Sequence, residues 1–116
     1  MAIESVYTTI YYVDDWERSV AFYRDVLGLS PLYVERGWAE FQVGSSGRIA
    51  LHAREAEHHA ASTAHVSFRV RDIDATVAAL TAKGARAVEP IRREPFGAVA
   101  AVADPSGNVI GLYEPL

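Results

Sequence analysis

Residues 8–28 read TTIYYVDDWERSVAFYRDVLG, and residues 65–84 read HVSFRVRDIDATVAALTAKG. Set side by side at an offset of 57, they place Val13 on Val70, Asp15 on Asp72, Trp16 on Ile73, Val20 on Val77 and Tyr23 on Leu80. One residue is then dropped before the closing glycines, Gly28 and Gly84. A chain that repeats itself uses one structural unit twice, so the repeat sets the architecture before any single motif does.

Each copy opens with a run rich in β-branched and aromatic residues, Val6–Val13 and Ala64–Val70, which predicts a strand. An Asp then offers its carboxylate to the free N–H groups of a helix. In the first copy Asp14, followed three positions on by Glu17, makes a loose capping box. Trp16, Val20, Tyr23 and Leu27 recur on one helical face, and Ile73, Val77 and Leu80 repeat the spacing. Gly28 and Gly84 supply left-handed ends.

Short strands follow each helix. The first copy predicts Pro31–Glu35, Trp38–Val43 and Arg48–Arg54, divided by Arg36-Gly37 and the turn Gly44-Ser45-Ser46-Gly47. The second predicts Ala85–Ile91, Ala98–Ala103 and Val109–Glu114, divided by Pro95-Phe96-Gly97 and by Asp104 to Asn108. The expectation is an α+β fold of two tandem βαβββ units, 1–54 and 64–116, joined by a polar linker at 55–63 that carries His58 and His59. Each helix covers one face of its curved mixed sheet and leaves the other open. Two such units close around a cleft, within one chain or across a dimer, and pockets form in clefts.

Bulk properties narrow the function. The chain has 116 residues, 50% of them hydrophobic, enough for one domain with a real core. A net charge of −4 argues against nucleic acid or an anionic membrane as partner; it suits a cationic or neutral ligand and equally serves solubility. With no cysteine there are no disulfides, thiolate metal sites or cysteine nucleophiles. No run approaches the ~20 apolar residues of a membrane span, and the start of the chain lacks a basic region, so a cytoplasmic protein is expected.

Three strings carry a resemblance to a known family. The first is Val13-Asp14-Asp15-Trp16-Glu17-Arg18-Ser19-Val20-Ala21-Phe22-Tyr23, closed by Val26-Leu27-Gly28-Leu29. The second is the strand Ala64-His65-Val66-Ser67-Phe68-Arg69-Val70, and the third is the hairpin Ala103-Asp104-Pro105-Ser106-Gly107-Asn108 running on to Leu112-Tyr113-Glu114. In this order they span almost the whole chain, which resembles the vicinal-oxygen-chelate superfamily of glyoxalases, bleomycin-resistance proteins and extradiol dioxygenases.

In metal-using members of that family, His and Glu ligands project from the first and last strands of each unit. The repeat carries those positions over. Thr8 is the partner of His65, and at an offset of 61 Ala50 is the partner of Gly111, where the family's final Glu falls. Of Thr8, Ala50, His65 and Gly111, only His65 is a good ligand, whereas a catalytic site for zinc, iron or nickel needs about three. No cofactor is therefore expected. A divalent metal would have to use His52 and His65 after a register shift, with Glu40 or Glu114 as a third ligand. Otherwise His65 lines the pocket and His52 is a half-buried strand residue.

Alternation along strands then lists the pocket. Thr8 brings Ile10 and Tyr12, His65 brings Ser67 and Arg69, Ala50 brings His52, and Gly111 brings Val109 and Tyr113. Trp38 or Phe41 joins them from the middle strands. The alternative for each aromatic is ordinary core, and Tyr11, Trp16, Phe22 and Tyr23 are assigned to packing between sheet and helix. Small residues at Ala50 and Gly111 leave room, and room lined by rings suits a flat organic molecule.

Three functions follow. The leading one is a metal-free protein resembling the bleomycin-resistance branch, which confers antibiotic resistance by sequestering a drug; it binds a small aromatic or peptidic molecule and, as the resemblance implies, is a homodimer. The alternative is a glyoxalase-like lyase or isomerase, or a dioxygenase relative, using His65 as a catalytic base or a reduced metal site. The third is an accessory domain with a vestigial pocket.

Overall fold

The computed structural model describes residues 8–54 and 65–116. The expected strand starts at Val6 and Ala64, the linker, and His58 and His59 within it lie outside these residues. The chain divides into two compact units, Met1–His59 and Ala60–Leu116.

The first unit holds β1 (Thr9–Val13), α1 (Trp16–Ala21), β2 (Ser30–Glu35), β3 (Trp38–Val43) and β4 (Gly47–Ala53). Its sheet runs β1-β4-β3-β2, with β1 parallel to β4 and the remaining pairs antiparallel. The second unit holds β5 (Val66–Arg69), α2 (Ile73–Ala82), β6 (Arg86–Glu94), β7 (Gly97–Ala103) and β8 (Val109–Pro115), in the order β5-β8-β7-β6. Both are βαβββ units, as the repeat predicts. The main difference in extent is β6, which runs three residues past the expected Ile91.

Register reproduces the repeat residue by residue. Ile10 pairs with Ala50 and Ser67 with Gly111; Tyr12 pairs with His52 and Arg69 with Tyr113. On the other side of the last strand, Trp38 pairs with His52 and Val99 with Tyr113, while Glu40 pairs with Ala50 and Ala101 with Gly111. Offsets of 57 and 61 therefore relate the two ladders without a slip. Because a slip of one residue would turn every side chain to the opposite face, the open faces correspond position by position across the inner three strands; the outer ladder β6–β7 has an added irregularity between Glu89 and Arg92 that β2–β3 lacks.

The helices show how the dropped residue is absorbed. After α1 the chain continues as a π-helical turn over Phe22–Val26, in which Leu27 N–H donates to the Phe22 carbonyl at 3.0 Å. A π turn holds one residue more than an α turn, and Tyr23 to Gly28 is one residue longer than Leu80 to Gly84. Gly28 ends the segment at a φ of 71°, in the left-handed region expected of a helix terminus.

The cap of α1 is Asp15 and not Asp14. Asp15 accepts from Arg18 N–H at 3.2 Å, and its repeat partner Asp72 accepts from Ala75 N–H at 3.1 Å. Asp14 instead pairs with Arg54 at 2.8 Å, tying the helix start to the end of β4. No helix among the described residues is long and apolar enough to cross a membrane.

Each unit buries its core between helix and sheet. In the first, Tyr23 sits against Tyr11 and Phe41, with ring centroids 6.1 Å apart in both pairs, and Val13, Ile49 and Leu51 complete the layer. In the second, Ile73 and Leu80 of α2 are buried, as are Ala100, Val102, Ile110 and Leu112 of the sheet. Trp16, assigned to packing between sheet and helix, is half-buried at the helix start. The hairpin string of the second unit is organised by Asp104, a buried carboxylate that accepts from Ser106 N–H at 2.9 Å, Asn108 N–H at 2.8 Å and Asn108 Nδ2 at 2.8 Å. That motif is a turn-building device.

Candidate ligand-binding face

Across the first sheet, away from α1, side chains stand in rows set by the register. One row is Tyr12, His52, Trp38 and Glu35, contributed by β1, β4, β3 and β2; the next is Ile10, Ala50, Glu40 and Tyr33. The Tyr12 and His52 rings are 5.6 Å apart, and the Trp38 ring meets His52 edge-on at 5.8 Å with an interplanar angle of 86°. His52 Nδ1 lies 2.6 Å from the Ala53 carbonyl. A carbonyl oxygen can only accept, so in this contact Nδ1 is the donor.

Glu40 sits at the centre of a polar network beside this row. Trp38 Nε1–H donates to one carboxylate oxygen and Arg48 to the other, each at 2.8 Å. Its side chain is only 17% exposed. The indole hydrogen bond first, then the Arg48 hydrogen bond and charge, hold its carboxyl below the usual carboxylate range against the opposing effect of burial. At the edge, the Glu35 carboxylate hydrogen-bonded to the Tyr33 phenol pushes that phenol up.

Among the predicted site residues of this unit, Tyr12, Trp38, Ala50 and His52 share the open face. Phe41 does not: it is fully buried on the helix side against Tyr23, because three positions separate it from Trp38 and a strand alternates faces every two. Thr8, at the entry to β1, has a buried hydroxyl with no hydrogen-bond partner among the described residues. Arg48 was missed by the sequence reading. It pairs with Gln42 in the ladder and reaches Glu40 diagonally, a relationship visible only once register is known.

In the second unit, His65 and Ser67 stand over Gly111. A Cβ built on Gly111 would meet Ser67 Oγ at 3.0 Å and the His65 ring at 3.2 Å. Tyr113 and Val99 lie in the neighbouring row, and the Tyr113 phenol donates to the Phe96 carbonyl at 3.2 Å. This face carries the small residues Ala101 and Ala103 where the first carries Glu40 and Gln42.

Two expectations are corrected here. Room was expected above Ala50 and Gly111, but Ala50 has no exposed surface and His65 and Ser67 close over Gly111. Glu114 was a candidate third metal ligand, but its carboxylate accepts from Ile73 N–H at 2.9 Å and caps α2 from the helix side of the sheet. The metal positions carried over by resemblance therefore offer one imidazole at His65, one hydroxyl at Thr8, and no donor at Ala50 or Gly111. That set does not fit a catalytic ion. No group of three or more His, Asp or Glu side chains suited to a metal occurs among the described residues.

Two open grooves lie elsewhere. One of about 740 Å³ runs between α1 and β2 and is lined by Trp16, Val20, Arg24 and Val34; one of about 530 Å³ lies at the ends of β5 and β8, with Arg69, Arg71 and Glu114. Neither collects the ring row, and the chemistry of the open sheet faces is the richer of the two settings.

Comparison with known proteins agrees with this geometry. The sequence pattern of the Glyoxalase/Bleomycin resistance protein/Dioxygenase superfamily matches residues 5–112, and the chain belongs to that superfamily. The protein YraH of Bacillus subtilis (strain 168) is 35% identical over 120 residues, covering 90% of this chain and 93% of YraH. TnmS3, an antibiotic binding protein from Streptomyces sp. CB03234, superposes with a TM-score of 0.85 at 29% identity, over 100% of this chain and 99% of that one. A lactoylglutathione lyase from Agrobacterium tumefaciens superposes at 0.79 with 24% identity, over 98% and 96% of the two chains, and shares the fold.

Proposed function

We propose that this chain binds a small aromatic or peptidic molecule without a metal, in the manner of the antibiotic-sequestering members of its superfamily. The observation that carries this reading is the row Tyr12–His52–Trp38, three rings side by side on an open sheet face with Glu40 and Arg48 beside them. Rings presented this way supply stacking area at low entropic cost. The absence of donors at Ala50 and Gly111 supports binding over metal-assisted chemistry, and likeness to an antibiotic binding protein points the same way. The exposed edge strand β2, with Leu32, Tyr33 and Val34 each about half exposed, supports a homodimer, which light scattering will measure.

The test is a titration with bleomycin and with the planar cation proflavine, followed by tryptophan fluorescence. Saturable quenching that Tyr12→Ala and His52→Ala each weaken is expected, with metal analysis of untagged protein showing far less than one ion per chain. Near-stoichiometric zinc, iron or nickel, or no response to any aromatic compound, sinks the reading.

A further inference from the structure

The structure assigns to Glu40 the part of a positioning residue: it fixes the indole plane of Trp38, and with it the shape of the ring row, while Arg48 holds Glu40 in place. This deepens the reading of the first open face as a ligand surface and rests on that reading for its functional meaning.

Trp38 stands at a vulnerable place. It is the first residue of β3, next to the turn at Gly37 and beside the exposed edge strand β2, and it is half-buried. Among the described residues the indole is covered only in part, with the His52 ring on one side. The second side-chain torsion of tryptophan is broad, so the ring is free to turn about it unless something grips its edge. The grip comes from Glu40, two residues on and therefore on the same face, whose Oε2 accepts the indole N–H at 2.8 Å.

The acceptor is itself held. Arg48 on β4 donates to Oε1 at 2.8 Å, so the two carboxylate oxygens have separate assignments and the carboxylate plane cannot rotate without breaking one of them. Charge-assisted hydrogen bonds of this kind are the stronger class. The chain of contacts runs Arg48, Glu40, Trp38, His52, Tyr12, crossing from β4 to β3, back to β4 and on to β1. Locking the indole edge-on to His52 leaves its face presented in one orientation, and a preorganised surface loses less entropy when a flat ligand settles on it.

The second unit supplies an internal control. The repeat partners of Trp38, Glu40 and Arg48 are Val99, Ala101 and Val109. The same register thus exists with no polar network at all, so the fold does not require one at these positions. Glu40 and Arg48 are explained by the ring they orient.

The experiment uses Trp16→Phe protein, in which Trp38 is the sole tryptophan of the two in the chain. Near-ultraviolet circular dichroism of the indole reports ring immobilisation without any ligand, and proflavine anisotropy reports binding. Glu40→Gln keeps one acceptor for the indole but turns an amide NH2 towards Arg48, so it is expected to keep part of the indole signal and to bind between the parent and Glu40→Leu. Glu40→Leu is expected to lose most of the signal and bind proflavine about tenfold more weakly, the size of one lost hydrogen bond. Retention of the full indole signal in Glu40→Leu overturns the assignment. Loss of the signal in Glu40→Leu with no proflavine binding by any variant, the parent included, upholds the positioning and removes the ligand reading. Should Glu40→Leu not fold, hydrogen exchange of the indole N–H in the Trp16→Phe protein decides: slow exchange at Trp38 supports the lock, and exchange at the rate of a free indole overturns it.

Discussion

A Cβ placed on Gly111 would stand 3.0 Å from the hydroxyl oxygen of Ser67. The two residues are register partners on β8 and β5. Gly111→Ala is therefore expected to destabilise the protein by about 1–3 kcal/mol through overpacking, and Ser67→Ala in the same chain to recover part of it by removing the nearest atom. Thermal unfolding of the two single variants and the double variant measures this. Full stability in Gly111→Ala alone would show that Ser67 and His65 move aside at no cost.

Thr8 offers the opposite sign. Its buried hydroxyl lacks a hydrogen-bond partner among the described residues. Valine has the same shape without the oxygen, so Thr8→Val is expected to raise stability by about 1 kcal/mol, the cost of an unsatisfied buried polar group. A lower unfolding midpoint in the variant means that the hydroxyl is partnered.

Asp104 is expected to be the costliest polar residue to lose. The residue is 3% exposed, and its carboxylate gathers three donors from Ser106 and Asn108. Asp104→Ala leaves those donors unpaired and opens the turn between β7 and β8, for a loss of about 3 kcal/mol. Denaturant titration measures it. Proflavine binding per folded molecule, set by the other unit, is expected to stay as in the parent.

The titration of Glu40 gives a pH test with a defined direction. Its carboxyl is held below the usual range, first by the Trp38 hydrogen bond and then by Arg48. A carboxyl lowered in the folded state stabilises the protein above its unfolded value, and that contribution is lost as pH falls through the folded value. Trp38→Phe keeps a ring but removes the N–H donor. The Glu40 carboxyl is then expected to titrate at a higher pH by carbon-13 NMR, and acid unfolding to begin at a higher pH. An unchanged titration of Glu40 refutes the indole as the dominant cause.

The architecture was legible because duplication wrote it twice. Val13 on Val70 and Asp15 on Asp72 predicted two βαβββ units, and the ladders keep both offsets. Face assignments on β1, β4, β5 and β8 also followed from alternation anchored at Thr8, Ala50, His65 and Gly111. Parity failed where no anchor existed: on β3 the sequence left Trp38 and Phe41 as equals, and only pairing with His52 and Ile49 separates the open face from the core. Glu114 misled because a carboxylate near the end of a strand gives no sign, in one dimension, that it caps a helix more than forty positions earlier. Room above Ala50 and Gly111 was inferred from side-chain size alone, and size says nothing about which neighbours close in.

The π turn at Phe22–Val26 carries a last consequence. It stores one surplus residue inside the helix, so the strands after it begin in step with those of the sister unit. Length and register are thereby decoupled: one half of the molecule can gain or lose a residue in its helix while its open sheet face keeps the same spacing. A repeated chain with such a buffer is free to let its halves drift apart in composition, one face carrying Trp38, Glu40 and Arg48 where the other carries Val99, Ala101 and Val109.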